Sequence, residues 1–196
     1  MSNKNYFVHE TSFVDQNVII GDDTKIWHFS HIQNGAIIGS NCTFGQNVNV
    51  GINVIIGNFC KVQNNVSIYE GVELEDFVFC GPSMVFTNIE RPRSEFPQNK
   101  SEAYEKTLIG KSVTIGANAT IICGITIGKY AFIGAGSVIT KDIPDFALVV
   151  GNPGVVVGWV NRYGNKLSFD ENGVSICPNS NEKYHLLNNQ VKLVDE

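Results

Sequence analysis

Aliphatic side chains recur every six residues along most of this chain. Stepping by six from Val8 gives Val14, Ile20, Ile26, Ile32, Ile38, Phe44, Val50, Ile56, Val62, Ile68, Leu74, Cys80 and Phe86, none of them charged. The beat resumes at Ile109 and runs through Ile115, Ile121, Ile127, Ile133 and Ile139. Glycine often follows the marked residue, as at Gly45, Gly57, Gly116 and Gly134, where a chain turning beside another backbone has no room for a Cβ. Six residues are too few for a helix, so each unit predicts a short strand carrying one inward aliphatic, and three units close a triangular coil of eighteen residues. The expected architecture is an all-β parallel β-helix whose coils lie about 4.8 Å apart and are stable only when stacked. The step from Phe86 to Ile109 is not a multiple of six, so residues 88–107 are expected to leave the coil as an extruded loop.

The beat ends near Gly154, which divides the chain into a coil domain, residues 1–154, and a C-terminal part, residues 155–196. That part reads as a connector followed by alternating segments around Leu167–Phe169, Val174–Ile176, Tyr184–Leu186 and Val191–Leu193, with turns at Glu171–Gly173 and Leu187–Asn189. A small antiparallel cap over the open end of the coil is expected. No apolar run approaches the ~20 residues of a membrane span, and the start, Met1 to Tyr6, lacks the apolar stretch of a signal peptide. The expectation is a cytoplasmic protein with no membrane insertion. The five cysteines then read as packing groups, although Cys42 and Cys60 stand eighteen residues apart and so stack on consecutive coils.

The formal charge of −5 is unevenly spread. Residues 8–86 hold eight acids against Lys25 and Lys61, whereas Lys106, Lys111, Lys129 and Lys141 stand in a stretch without acids. An anionic ligand is expected on the second block. Four dispersed lysines are too thin a footprint for a nucleic acid. Taken at a spacing of eighteen, His28, Gln46 and Asn64 form one line, Asn47 and Asn65 a second, and His31, Asn49 and Ser67 a third. Stacked amides serve turn geometry, and they equally suit sugar hydroxyls and a nucleobase. The reading sets these lines beside the extruded loop.

The stretches Ile26–Ile32, Val62-Gln-Asn-Asn-Val-Ser-Ile-Tyr69, Phe79-Cys-Gly-Pro-Ser-Met-Val-Phe-Thr-Asn88, Ile115-Gly-Ala-Asn-Ala-Thr-Ile121 and Ala147-Leu-Val-Val-Gly-Asn-Pro153 carry a resemblance over residues 8–165. The chain resembles the left-handed β-helix hexapeptide acyltransferases, and among them the N-acetyltransferases of UDP-2-acetamido-3-amino-2,3-dideoxy-glucuronate. The resemblance implies a left-handed coil, a homotrimer with active sites at the subunit interfaces, and acetyl transfer from acetyl-CoA to a sugar 3-amino group on a route to surface polysaccharide (O-antigen). It makes Asn88 the catalytic position in a loop without histidine. Substrate candidates are His28, Gln46, Asn47, Gln63, Asn64, Asn65 and Tyr69, with Arg93 for the sugar carboxylate. Cofactor candidates are Gly116, Ala117, Gly134 and Ala135 along the pantetheine, Lys141 at a phosphate and Asn152 at the adenine; no metal is expected. A dTDP-linked 3-amino-3,6-dideoxyhexose is the rival substrate, and a non-catalytic assembly scaffold the rival class. A γ-class carbonic anhydrase needs zinc histidines on adjacent coils, where Gln46 and Asn49 stand instead.

Overall fold

A computed structural model describes residues 5–98 and 100–194, so the polar start at residues 1–4 lies outside it. Two-residue strands stack in register into three parallel sheets, here faces A, B and C. Face A begins with Phe7–Val8, Lys25–Ile26, Thr43–Phe44 and Lys61–Val62; face B with Phe13–Val14, His31–Ile32, Asn49–Val50 and Ser67–Ile68; face C with Ile19–Ile20, Ile37–Ile38 and Ile55–Ile56. Each residue pairs with the one eighteen further on, as Ile26 with Phe44 and Phe44 with Val62. Across the loop the offset grows, so that Leu74 pairs with Ile109 and Cys80 with Ile115, and the prism continues undisturbed.

The core is denser than one aliphatic per strand. From Ile26 to Ile139 every marked residue is at most 1% exposed, but the residue two places before it is also buried. This second set, including Ala36, Cys42, Val48, Val54, Cys60 and Val66, is mostly small, filling the narrow angle where the chain re-enters after a turn, with Met84 and Ile125 as the large members. Where it is polar, its hydroxyl links coils. The Ser30 Oγ donates to the Gly45 carbonyl at 3.0 Å and accepts from the Val48 amide at 3.0 Å; Thr24 does the same with Gly39 and Cys42. Ser30→Ala is therefore expected to cost about 1–3 kcal/mol, because it strands two buried backbone groups; a chemical-denaturation midpoint unchanged from wild type would refute that role. All five cysteines are free and buried, and burial pushes the Cys80 thiol up to about 12.

The turns explain the asparagines. At most turns the third residue after the marked position adopts left-handed backbone, with φ of 57° at Asn47, 61° at Asn65 and 55° at Asn118. Asparagine tolerates that region better than other non-glycine residues. On the corner between faces C and A this position holds Asp23, Asn41 and Ser112 on some coils and aromatics on others, and the aromatics stack in pairs: Phe59 on Phe77 at 4.9 Å and Tyr130 on Phe146 at 5.0 Å.

The C-terminal part departs from expectation at two points. Val155–Trp159, read from sequence as connector, is a strand pairing antiparallel with Ala147–Val150, so face A ends in a reversed strand. Leu167–Phe169 forms no strand; only a bridge between Val160 and Lys166 holds that stretch. Its alternation reflects Leu167 packing into the core rather than sheet pairing. Val174–Ile176, Lys183–Leu187 and Gln190–Val194 form the expected antiparallel cap. Trp159, Cys177, Tyr184 and Val191 extend the coil core into the cap, and Tyr184 meets Phe146 edge-on at 5.6 Å.

Candidate functional site

The predicted site residues fall on two different corners of the prism. On the corner between faces A and B, His28, Gln46, Asn47, Gln63, Asn64 and Asn65 lie on three successive coils. Higher on the same corner come Gly116, Ala117, Gly134 and Ala135, and above them the hairpin carrying Asn152. One edge thus carries most acceptor candidates toward the N-terminal end and most cofactor candidates toward the other.

Several of these side chains have structural duties. The Asn64 Oδ1 accepts from the Gln46 amide at 2.8 Å, and the Asn47 Nδ2 donates to the Asn65 Oδ1 at 3.1 Å. The His28 ring stacks on His9 at 3.6 Å. Gln46 and Gln63, by contrast, direct side-chain amides to no described residue. Gly116 is required by packing, since a Cβ there would strike the Ala135 backbone of the next coil. Gly136 differs: its φ is 69°, and nothing lies within 4 Å of where a Cβ would be, so its backbone is open to a ligand. The six-residue beat separates the two, since Gly116 directly follows the marked Ile115 while Gly136 is the left-handed turn residue three places after Ile133.

The loop belongs to the other corner, between faces B and C. It leaves after Val85–Phe86 on face B and returns into Thr107–Ile109 on face C, so Thr107 is strand and the excursion spans residues 87–106. Its base is tied by backbone: the Glu105 amide donates to the Asn88 carbonyl at 2.9 Å, and the Cys123 amide donates to the Thr87 Oγ1 at 2.9 Å. The Asn88 side chain is half-buried and bonds to no described residue. Tyr69 and Lys141 lie on this corner too, both exposed. Beside the loop base an open cleft of about 560 Å³ is lined by Glu70, Glu73, Tyr104, Lys106 and others. Arg93 sits out on the loop, its guanidinium meeting only the Pro92 carbonyl at 3.3 Å.

The polar lines and the loop are therefore not neighbours within one chain. Face B separates them, a side of six residues that spans up to ~20 Å. The third polar line, His31, Asn49 and Ser67, lies on that face. There the His31 Nε2 meets the Asp15 Oδ1 at 2.8 Å, and this hydrogen bond holds the Asp15 carboxyl below its ordinary range. The four lysines of the acid-free stretch are also divided. Lys111 and Lys129 fall on the corner between faces C and A, with Lys111 over the Phe77 ring, and neither stands near Ala117. Among the described residues, no three His, Cys, Asp or Glu side chains are placed to hold a metal, and no helix is long and apolar enough to cross a membrane.

Comparison with known proteins fits this architecture. The repeat described as "Bacterial transferase hexapeptide (six repeats)" matches residues 17–52 and 106–141. A dTDP-3-amino-3,6-dideoxy-alpha-D-galactopyranose 3-N-acetyltransferase of Aneurinibacillus thermoaerophilus is 43% identical over 171 residues, 87% of each protein. The chain belongs to the hexapeptide-repeat acetyltransferases. A galactoside acetyltransferase solved with coenzyme A superposes with a TM-score of 0.57 at 25% identity, covering 73% of this chain and 72% of that one. For a GDP-perosamine N-acetyltransferase of Caulobacter crescentus the TM-score is 0.53 at 19% identity, over 77% of this chain and 55% of the other, a likeness of fold.

Proposed function

We propose that this enzyme transfers the acetyl group of acetyl-CoA to the 3-amino group of a nucleotide-linked amino sugar, with a dTDP-linked 3-amino-3,6-dideoxyhexose as the acceptor. The observation that carries the reading is the 43% identity, over 87% of both proteins, to an N-acetyltransferase of that sugar class. The coenzyme A bound to the galactoside acetyltransferase of similar fold supports the donor. The neutral amine attacks the thioester carbonyl carbon, the tetrahedral adduct collapses with loss of the C–S bond, and the proton leaving nitrogen ends on the coenzyme A thiolate. Asn88 holds the amine or donates to the oxyanion; its amide takes no proton at neutral pH.

The division of candidates between two corners favours a homotrimer in which the loop corner of one copy meets the amide-and-glycine corner of the next. Ile19, Ile37 and Ile55 form an exposed ladder on face C, 62%, 43% and 44% accessible, and suit burial against another copy. The five unpaired thiols suit a cytoplasmic location. Lys141→Ala is expected to raise the KM for acetyl-CoA severalfold with kcat nearly unchanged, as removal of a phosphate contact should; an unchanged KM would remove Lys141 from the cofactor site.

A second reading keeps the chemistry and changes the sugar. Arg93 has no carboxylate partner of its own, which leaves its guanidinium free for the acid group of a UDP-linked 3-amino uronate. Release of free thiol from acetyl-CoA, measured with each acceptor in turn, separates the two. Turnover with the deoxyhexose alone supports the proposal; turnover with the uronate alone replaces it; silence with both contradicts acetyl transfer to this sugar class.

A further inference from the structure

The N-terminal end of the A–B corner holds an aromatic group that the coil does not need. Phe29 adopts left-handed backbone at φ 57° and is 60% exposed. On the neighbouring coils the equivalent residues are Thr11, Asn47 and Asn65. A bulky ring in that backbone region is strained. The other aromatics at this turn position stack on one another, whereas Phe29 makes only a tilted contact with His28 at 6.0 Å. The Phe29 amide donates to the Thr11 Oγ1 at 3.1 Å, but the ring itself is stacked on no neighbour. Two residues earlier the Trp27 ring is 40% exposed and lies parallel to His28, 9° between planes.

The charges around this group are equally selective. Lys25 and Lys61 are the only cations among residues 8–86. Both lie on face A, in one register column with Thr43 between them, so they stand two coils or roughly 10 Å apart beside the same corner. Neither is ion-paired with any described residue, although eight acids share that part of the chain. Gln46, one coil above Phe29, offers an amide that bonds to no described residue. The corner then climbs toward Gly116 and Gly136, the former four coils or roughly 19 Å above the aromatic group.

We propose that this group is the nucleotide subsite of the acceptor: a pyrimidine base stacks on Phe29 and Trp27, and its diphosphate turns onto face A toward Lys25 and Lys61. The inference rests on the reading of the enzyme as a nucleotide-sugar acetyltransferase and adds to it a place and a polarity. The base lies at the N-terminal end, the sugar is carried up the corner past Gln46, and the acetyl donor approaches from the C-terminal coils. The aromatic face meets the base and the lysines meet the diphosphate, so affinity for the acceptor is set here by its nucleotide and selection among sugars occurs higher up.

Calorimetry with dTDP alone, and with coenzyme A as the control ligand, tests this on three proteins. Phe29→Asn installs the residue type found at the same turn on the next two coils, so it relieves strain and preserves the fold. It is expected to weaken dTDP binding about tenfold, in line with loss of one base stack. Lys25→Gln is expected to weaken dTDP severalfold and to flatten its dependence on salt. Coenzyme A affinity should be the same in all three, and dTDP should quench the exposed Trp27 in wild type. Unchanged dTDP affinity in both variants overturns the subsite, as does parallel loss of dTDP and coenzyme A binding. If wild type still acetylates the dTDP-linked amino sugar while dTDP affinity ignores both substitutions, the subsite is wrong and the proposed activity stands. If wild type acetylates no nucleotide-linked sugar and binds no dTDP, both fall.

Discussion

Asn88→Ala is expected to lower kcat by about a hundredfold, the scale seen when one preorganised donor is taken from a transition state, while melting temperature and oligomeric size stay as in wild type. The structure separates these two effects. What ties the base of the loop is the backbone carbonyl of Asn88 and the Thr87 hydroxyl, both of which survive the substitution. The side-chain amide is half-buried, bonds to no described residue and contributes nothing visible to folding. Its remaining use is toward a ligand. Steady-state thiol release at saturating acetyl-CoA, alongside a thermal melt, checks both halves. Full activity in the variant would move the reacting amine away from the loop, and a collapsed melting temperature would make Asn88 a structural residue.

Phe44→Ala is expected to destabilise the protein by about 3–5 kcal/mol, the usual cost of emptying a buried aromatic site, and to lower the melting temperature by roughly 10 °C. Phe44 is fully buried, with Ile26 below and Val62 above it in the same register column. A solenoid has no distant contacts with which to compensate, since each coil touches only its neighbours. A cavity at Phe44 therefore weakens the packing on both sides of one coil. Phe77→Ala is the useful contrast, because that ring is 47% exposed and only covers a corner. Denaturant titration of the two variants should give a large loss for the first and a much smaller one for the second. Equal losses would contradict a core carried by the inward-facing residues rather than by the rings that cover the corners.

Much of this could be read from residue spacing because the coil repeats a local rule. A residue buried at one position predicts burial six residues later, and the ladder partner is eighteen residues away by construction, so Ile26, Phe44 and Val62 were identifiable as a column without a structure. The second buried column was not, because Ala36, Ser30 and Cys42 share no hydrophobic signature; they share only small size, imposed by the angle of the corner. Spacing also gave Asn47 and Asn65 their common line but not its cause, which is a left-handed turn that asparagine tolerates. The loop was visible as a break in the beat. Its corner was legible as well, because Phe86 stands eighteen residues after Ile68, so the loop leaves beyond face B and not from the corner of Gln46 and Asn64. The strand Val155–Trp159 was missed because antiparallel closure of a parallel sheet leaves no trace in a six-residue period.

The same geometry gives the account its sharpest claim. Asn88 and the open backbone around Gly136 stand on different corners of one prism, so the proposed acetyl transfer calls for the loop of one copy and the A–B corner of another. Subunit mixing tests this directly. Asn88→Ala disables the loop half, and Ala117→Trp blocks the cofactor half, so each variant alone should be nearly inactive. When the two are unfolded together at equal amounts and refolded, interfaces joining an intact loop to an intact corner should form at about one site in four, as a head-to-tail ring with random composition requires. Recovery of about a quarter of wild-type thiol release is the predicted result. A mixture as inactive as its parents would show that both halves act within a single chain, and would contradict the composite site.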